Sequence, residues 1–302
     1  MTLQNPRSDR RYSIGAAEFE AEKLGPGLHV VATPIGNLRD ITIRALATLA
    51  AADAILCEDT RTTAKLLERY AIRTKLLPYH EHNAAKVRPG IIEKLRSGMA
   101  LALVSDAGTP LVSDPGYRLV AEALASGIAV TACPGPSAVL TGLALSGLPT
   151  DRFTFLGFLP ARAGDRKRLY AEFARLQSTL IFFESPHRIV ATLAEIEEAW
   201  PGRQFAVARE LTKLHEEVLR GNAGELREAL AARAAIKGEI TVVAGPPQEQ
   251  PAASEEEIAA AIEEALETMP AGRAAAEIAR RFDIGKKEIY ARILARKAAA
   301  DA

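Results

Sequence analysis

Cysteine is nearly missing from this chain. The only two, Cys57 and Cys133, sit inside or at the end of apolar runs. That excludes a disulfide-stapled secreted scaffold and predicts buried, reduced thiols of the kind cytosolic proteins carry. Long apolar runs are missing too: none approaches the ~20 residues a membrane span requires. The opening MTLQNPRSDRRYSIGAAEFEAEKLGPG holds no apolar signal-peptide core, and its acids argue against a transit peptide. Residues 1–26 therefore read as a flexible leader on a cytoplasmic protein. Net charge is also absent, because 38 basic and 38 acidic side chains cancel. No global field draws the chain to nucleic acid, and such a role needs a local basic patch.

Several common chemistries lack their signatures. No G-x-x-x-x-G-K-[ST] occurs, and no G-x-G-x-x-G follows the first apolar run, so the usual phosphate and dinucleotide loops are excluded. Asp106-Ala107-Gly108-Thr109 resembles a D-x-D-x-T phosphatase motif, but Gly108 stands where the second acid must protonate the leaving group. His80-Glu81-His82 has no further Cys or His cluster to complete a metal site. No metal is expected.

What is present is an α/β pattern. From Leu28 onward, short β-rich apolar runs (LHVVAT, AILCED, KLLPYH, MALALVSD, IAVTACP) alternate with helical stretches, the signature of a largely parallel sheet. The runs are continuous rather than alternating, as expected when helices cover both faces. LSGLPTDRF, residues 145–153, marks a boundary. Beyond it a second α/β half includes QFAVARELT and HEEVLRGN, near neighbours able to pair antiparallel. After Gly245 a Pro- and Glu-rich linker leads to Ala/Glu/Arg/Lys helices. Residues 273–297 outline two amphipathic helices around Phe282-Asp283-Ile284-Gly285, a helix-turn-helix or a helical hairpin capping the core. Their excess of Arg and Lys tilts the choice towards RNA contact. The expected organisation is a leader (1–26), an N-terminal α/β domain with cofactor-binding loops (27–147), a second α/β domain (148–246), and a linker with a helix-turn-helix-like segment (247–302).

Three loops leave strands for helices with the composition of a ligand site: TPIGN, SDAGTPLVSDPG and CPGPSA. In open α/β sheets ligands bind at the carboxyl ends of strands, where glycine lets backbone N–H groups approach. In the middle loop, Asp106 can accept from a hydroxyl or amine. Ser113 or Asp114 fits a helix N-cap, with Pro115 at the favoured first position.

Together, TPIGNLRDITIRAL, CEDTR, LVSDAGTPLVSDPG, CPGPSA, SGLPTDRFTFLGFLP, FFESPHRI, VARELTKLHEEVLRG and GEITVVAGP resemble one branch of the tetrapyrrole (corrin/porphyrin) methylase superfamily. That branch methylates the ribose 2′-hydroxyl of a cytidine in the decoding region of 16S rRNA. The resemblance implies two α/β domains with S-adenosylmethionine in the cleft between them, a homodimer, and 16S rRNA, free or within the small ribosomal subunit, as partner. It implies cofactor contacts from Pro34 and Gly36, from Asp106, Ala107, Gly108 and Thr109, and from Pro134, Gly135, Ser137 and Ala138. Phe183, Glu184, Ala244 and Gly245 are expected to supply the wall from the second domain.

Methyl transfer to a hydroxyl is an in-line displacement that needs alignment and a proton acceptor. Polar strand ends offer Glu58-Asp59-Thr60-Arg61, Glu184-Ser185-Pro186-His187-Arg188 and Arg209-Glu210-Leu211-Thr212-Lys213. Glu184 or His187 is the expected acceptor, with Arg61, Arg188 and Lys213 orienting phosphate or ribose. Each also has a structural reading: Glu184 and Ser185 as caps of a helix starting at Pro186, Glu210 with Lys213 as an ion pair, Arg61 with Asp59. Arg162, Arg166, Lys167 and Arg168 form a basic patch suited to RNA phosphate. The alternatives are a tetrapyrrole or diphthamide-precursor methyltransferase and a non-catalytic RNA-binding protein.

Overall fold

The structure, a computed structural model, describes residues 10–112, 116–248, 254–282 and 284–300, with side chains to residue 296. Residues 1–247 form one unit and residues 248–302 another.

The first sheet contains β3 (Gly27–Val31), β4 (Ala54–Cys57), β5 (Leu76–Pro78), β6 (Ala100–Leu103) and β7 (Val130–Cys133). Preceding them are the strands β1 (Arg11–Ile14) and β2 (Ala17–Glu20). The five sheet strands are all parallel, in the order β5-β4-β6-β3-β7. Alternate residues of each strand point to opposite layers. Val31, Ile55 and Ala102 join α1 (Ile43–Ala51) and α2 (Thr60–Arg69), whereas Leu28, Leu56, Leu101 and Leu103 join α3 (Glu81–Arg96) and α4 (Tyr117–Ala125). Both layers are apolar, which is why these strands read as continuous hydrophobic runs. All five carboxyl ends fall on one edge.

The expectation of a flexible leader needs correction. Residues 11–20 pair as an antiparallel hairpin, Tyr12 is buried in the core of α1 and α2, and the Ser13 N–H donates to the Tyr70 carbonyl. Tyr12 supplies the apolar anchor that composition alone concealed, and it stacks on Phe19. Residues 1–9 lie outside the described residues.

The second sheet holds β8 (Phe153–Phe158), β9 (Thr179–Glu184), β10 (Phe205–Arg209), β11 (Glu217–Gly221) and β12 (Ile240–Ala244), in the order β11-β10-β12-β9-β8. Only β8 and β9 are parallel; the rest pair antiparallel. One face packs on α6 (Ala163–Phe173), α7 (Ile189–Ala199) and α8 (Ala223–Ala231). The other receives α5 (Ala138–Ser146), whose Val139 and Leu143 meet Ile181, Ala206 and Val243. The helix that leaves the first sheet thus covers the second. Arg220 from β11 donates to the carbonyls of Ser146 and Leu145 at its end.

Among the described residues the C-terminal unit holds α9 (Glu255–Thr268), α10 (Ala271–Phe282) and α11 (Lys286–Ala300), the last two spanning the pair of helices read over residues 273–297. Ser254 and Glu257 form a capping box at the start of α9. Ile258, Ile262, Ala274, Ala275, Ile278, Ile289 and Ile293 make a separate core. Asp283 lies outside the described residues.

Candidate active site

The carboxyl ends of β3, β6 and β7 release three loops that hold one another. Thr33 and Gly108 exchange backbone hydrogen bonds, N–H to carbonyl, at 2.9 and 3.0 Å. Thr33 Oγ1 donates to the Ser105 carbonyl, and Thr109 Oγ1 donates to the Pro136 carbonyl. Gly108 has φ +83°, left-handed backbone where a side chain is strained, and a Cβ there would press on Ile35. Asp106, exposed at the tip, accepts at Oδ1 from the Asp59 N–H at 3.1 Å. This ties a fourth loop, after β4, into the cluster. Ser137 caps α5.

These loops form one wall of a cavity of about 410 Å³. Its walls include Ile35, Asp106–Thr109, Val112 and Ser137–Val139 from the first half, and Phe158, Phe183–Pro186 and Gly238–Thr241 from the second. The volume is that of a small-molecule site, roughly 300–1,000 Å³, and the lining is mainly apolar with a few polar groups, as such sites are. Of the expected cofactor residues the cavity brings together Asp106, Ala107, Gly108, Thr109, Ser137, Ala138, Phe183 and Glu184. Pro34 and Gly36 flank the lining residue Ile35, and Pro134 and Gly135 precede Ser137.

Ala244 and Gly245 do not line it. β12 runs antiparallel to β9, so Ala244 pairs with Leu180 while Ile240 pairs with Glu184. The start of β12, not its end, therefore faces the cleft, and Gly238, Glu239, Ile240 and Thr241 take the role assigned to Ala244 and Gly245. The signal in the sequence was Gly-Glu just ahead of the apolar run; its meaning depended on strand direction.

Glu184 is not available as a proton acceptor. Its carboxylate is 0% exposed. Oε1 accepts from the Ser185 N–H at 2.7 Å and from Arg188 Nε at 2.8 Å, and Oε2 accepts from Thr192 Oγ1 at 2.7 Å. Arg188 in turn donates to the Leu159 carbonyl. The group fastens β9 to α7, and that helix opens at Ile189 rather than Pro186. His187 is exposed outside the cavity, where Ser185 and Pro186 form the wall. Similarly, α4 takes Gly116 as its N-cap, so that position belongs to neither Ser113 nor Asp114. Ser113, Asp114 and Pro115 lie outside the described residues.

Arg61 is 87% exposed and paired with Asp59, whose carboxyl it holds at about 2. Lys213 bridges Glu210 at 2.8 Å and the cavity residue Glu239 at 3.0 Å. Burial works against the Lys213 charge, but those two carboxylates outweigh it and raise the ammonium's pKa. Lys213 also anchors Glu210, lowering its pKa. The backbone here is left-handed at two residues with side chains, Glu210 (φ 53°) and Thr212 (φ 64°), a costly conformation kept at a cleft rim. Gly36 packs against this segment. The basic patch on α6 loses a member: Arg166 is sequestered in a bidentate pair with Glu195 and two carbonyls, and Arg168 pairs with Asp165. Arg162 and Lys167 remain exposed. Cys57 and Cys133 are buried free thiols. No group of metal-ligating side chains occurs among the described residues, nor any helix long and apolar enough to cross a membrane.

Two α/β sheets joined over a cleft of glycine- and proline-rich strand ends define a tetrapyrrole-methylase-type enzyme. The family model of tetrapyrrole (corrin/porphyrin) methylases matches residues 27–227, and that of the RsmI C-terminal HTH domain matches residues 252–297. Solved structures share the fold. A cobalt precorrin-4 methyltransferase superposes with TM-score 0.54 at 17% identity, covering 72% of this chain and 94% of its own. A uroporphyrin-III C-methyltransferase from Thermus thermophilus, complexed with S-adenosyl homocysteine, does so with TM-score 0.51 at 19% identity, covering 72% and 97%. Among sequences, ribosomal RNA small subunit methyltransferase I of Mesorhizobium japonicum is 48% identical over 93% of this chain and 96% of the relative. That of Erythrobacter litoralis is also 48% identical, over 92% and 98%. The chain belongs to the ribosomal RNA small subunit methyltransferase I family of tetrapyrrole methylases.

Proposed function

We propose that this protein transfers a methyl group from S-adenosylmethionine to the ribose 2′-hydroxyl of a cytidine in the decoding region of 16S rRNA. The observation that carries the reading is the 48% identity over nearly the full length of relatives bearing the small-subunit methyltransferase name. The cavity suits the cofactor. Ile35, Phe158 and Phe183 offer apolar surface to an adenine, Asp106 offers an acceptor to hydroxyl or ammonium, and the volume of about 410 Å³ accommodates a molecule of that size. When bound, the cofactor supplies an electrophilic methyl carbon on a sulfonium. The chain's own part is to fix that carbon in line with the ribose oxygen and to exclude water. In this reading the two α/β halves divide near residues 147 and 148, with the cofactor between them.

RNA contacts come from exposed cations: Arg162 at the N-cap of α6 and Lys167 on it, and Arg273, Arg280, Lys286 and Lys287 in the C-terminal unit. By contrast, Arg292 and Arg296 are paired with acids of their own unit. A homodimer buries the exposed Tyr117, Leu124 and Leu140, which are 73%, 58% and 56% accessible. The setting is the cytoplasm.

The test is to incubate the protein with labelled S-adenosylmethionine and small subunits lacking the modification, then map the label. Ribose-bound methyl on one cytidine is expected; label on a base refutes the 2′-O assignment, and no label on RNA refutes the reading. Asp106→Ala is expected to weaken cofactor binding with the fold intact.

A further inference from the structure

The reaction needs an acceptor for the hydroxyl proton, and the carboxylates that line the cavity or stand beside it differ in what they already hold. Glu184 is sealed beneath three donors. Glu210 holds Lys213 and the Glu239 N–H, and Glu239 holds Lys213. Asp59 caps α2 and binds Arg61. Asp106 spends an oxygen on the Asp59 N–H. Glu58 is half-buried, and its carboxylate makes no hydrogen bond or ion pair with any described residue.

Its position follows from the sheet. Leu56 pairs with Leu103 in parallel register, and the Val104 N–H donates to the Leu56 carbonyl. Glu58 therefore leaves β4 beside the start of the Ser105–Asp106 loop. On the other side the Tyr79 N–H donates to the Cys57 carbonyl, which brings in His80. Glu58 thus stands at the same carboxyl edge as the cavity wall, one strand from Asp106.

We propose that Glu58 accepts the substrate hydroxyl proton. This rests on the 2′-O-methylation reading. Glu58 takes the proton as the hydroxyl oxygen bonds the methyl carbon; the carbon–sulfur electron pair goes to the departing thioether. The carboxylate's charge and the sulfonium's charge are both consumed, so the step balances with no further reactant.

Burial, first, and the nearby Asp106 raise the proton affinity of Glu58; His80 opposes this and Glu81 adds to it. A carboxylate of raised pKa is a stronger base than an exposed one. Because Glu58 must be ionised to act, transfer should climb with pH through its raised pKa. The neighbours that bear on this limb are Asp106 at the end of β6, Asp59 beside it, and His80 and Glu81 at the start of α3.

Glu58→Gln and Glu58→Asp in the full chain test this, with three readouts: single-turnover transfer against pH, S-adenosylhomocysteine affinity by calorimetry, and Tm. For Glu58→Gln we expect transfer down about 100-fold or more, affinity within about twofold, Tm unchanged and the acid limb gone. Glu58→Asp should be slower yet keep the limb. The assignment is overturned if Glu58→Gln stays within about threefold of wild type, if it loses cofactor affinity in parallel, or if Asp106→Asn removes the limb while Glu58→Gln retains it. Wild type giving no ribose methylation would bring down the functional reading as well, whereas an active wild type matched by Glu58→Gln brings down Glu58 alone.

Discussion

Replacing Glu184 should damage the fold rather than the chemistry. Its carboxylate, 0% exposed, gathers the Ser185 N–H, the Arg188 guanidinium and the Thr192 hydroxyl within 2.8 Å. Hydrogen bonds to a charged group contribute about 1.5–3 kcal/mol each. Removing one side of a buried ion pair costs about 3–5 kcal/mol. Arg188 is 33% exposed and can rehydrate, so the three contributions do not simply add, and about 3–5 kcal/mol is expected for Glu184→Ala. A unit of this size loses roughly 2–4 °C of Tm per kcal/mol, which gives a fall of roughly 10 °C. Glu184→Gln keeps the shape and an acceptor for Ser185 and Arg188, and turns an amide N–H towards the Thr192 oxygen. It should cost about half as much. The assay is calorimetric melting of both variants beside single-turnover methyl transfer well below their Tm. A Glu184→Gln protein that melts like wild type yet has lost transfer would refute this, because a sealed structural carboxylate has no route to the substrate.

Three other perturbations test the framework. Arg203, 1% exposed, donates to the carbonyls of Ser178, Gly245, Phe173, Ala174 and Leu176, and burial pushes its guanidinium down to about 10. Arg203→Met relieves that desolvation but orphans carbonyls at about 1–3 kcal/mol each, so urea unfolding should show a net loss of about 3 kcal/mol; a more stable variant would mean desolvation wins. Glu217, forked to Arg233 at 2.6 Å and Arg209 at 3.2 Å, has its carboxyl held down to about 2, chiefly by Arg233. Its folded pKa lies below the unfolded one, so its stabilisation is complete above about pH 4.5 and is lost as pH falls towards 2. With solvent screening this amounts to about 1–2 kcal/mol, and Glu217→Gln should flatten that part of the stability–pH curve. Gly36→Ala would drive a methyl into the Lys213 side chain and within 2.9 Å of the Leu211 carbonyl and Thr212 Oγ1. Overpacking of this kind costs about 1–3 kcal/mol, and S-adenosylhomocysteine titration should show weaker binding.

Much of the cleft was legible in the sequence because it is local. A parallel strand running into Ser-Asp-Ala-Gly-Thr puts that loop at the carboxyl edge whatever surrounds it, and Asp106–Thr109, Ser137 and Ala138 line the cavity. Legibility failed where the answer depended on strand direction or on long-range partners. Ala244 and Gly245 close an apolar strand just as the first-half loops do, but β12 is antiparallel to β9 and its other end meets the cavity wall. Glu184 read as a proton acceptor at a strand end; Thr192, eight residues on, together with Arg188 turned it into a clamp. Tyr12 lay in a stretch too polar to suggest order, and its burial depends on α1 and α2 far along the chain.

The sequence by itself determined the α/β alternation, the glycine loops at the first sheet's edge and the appended helices. Each of these follows from patterns within ten or twenty residues, where backbone sterics and local periodicity decide. The tertiary structure alone decided that α5 leaves the first sheet to cover the second, that β12 presents its beginning to the cleft, and which carboxylates are already bound. Those outcomes depend on contacts between residues tens of positions apart. A carboxylate's chemistry is set by whatever donors those contacts bring to it, and this is what separates Glu58 from Glu184.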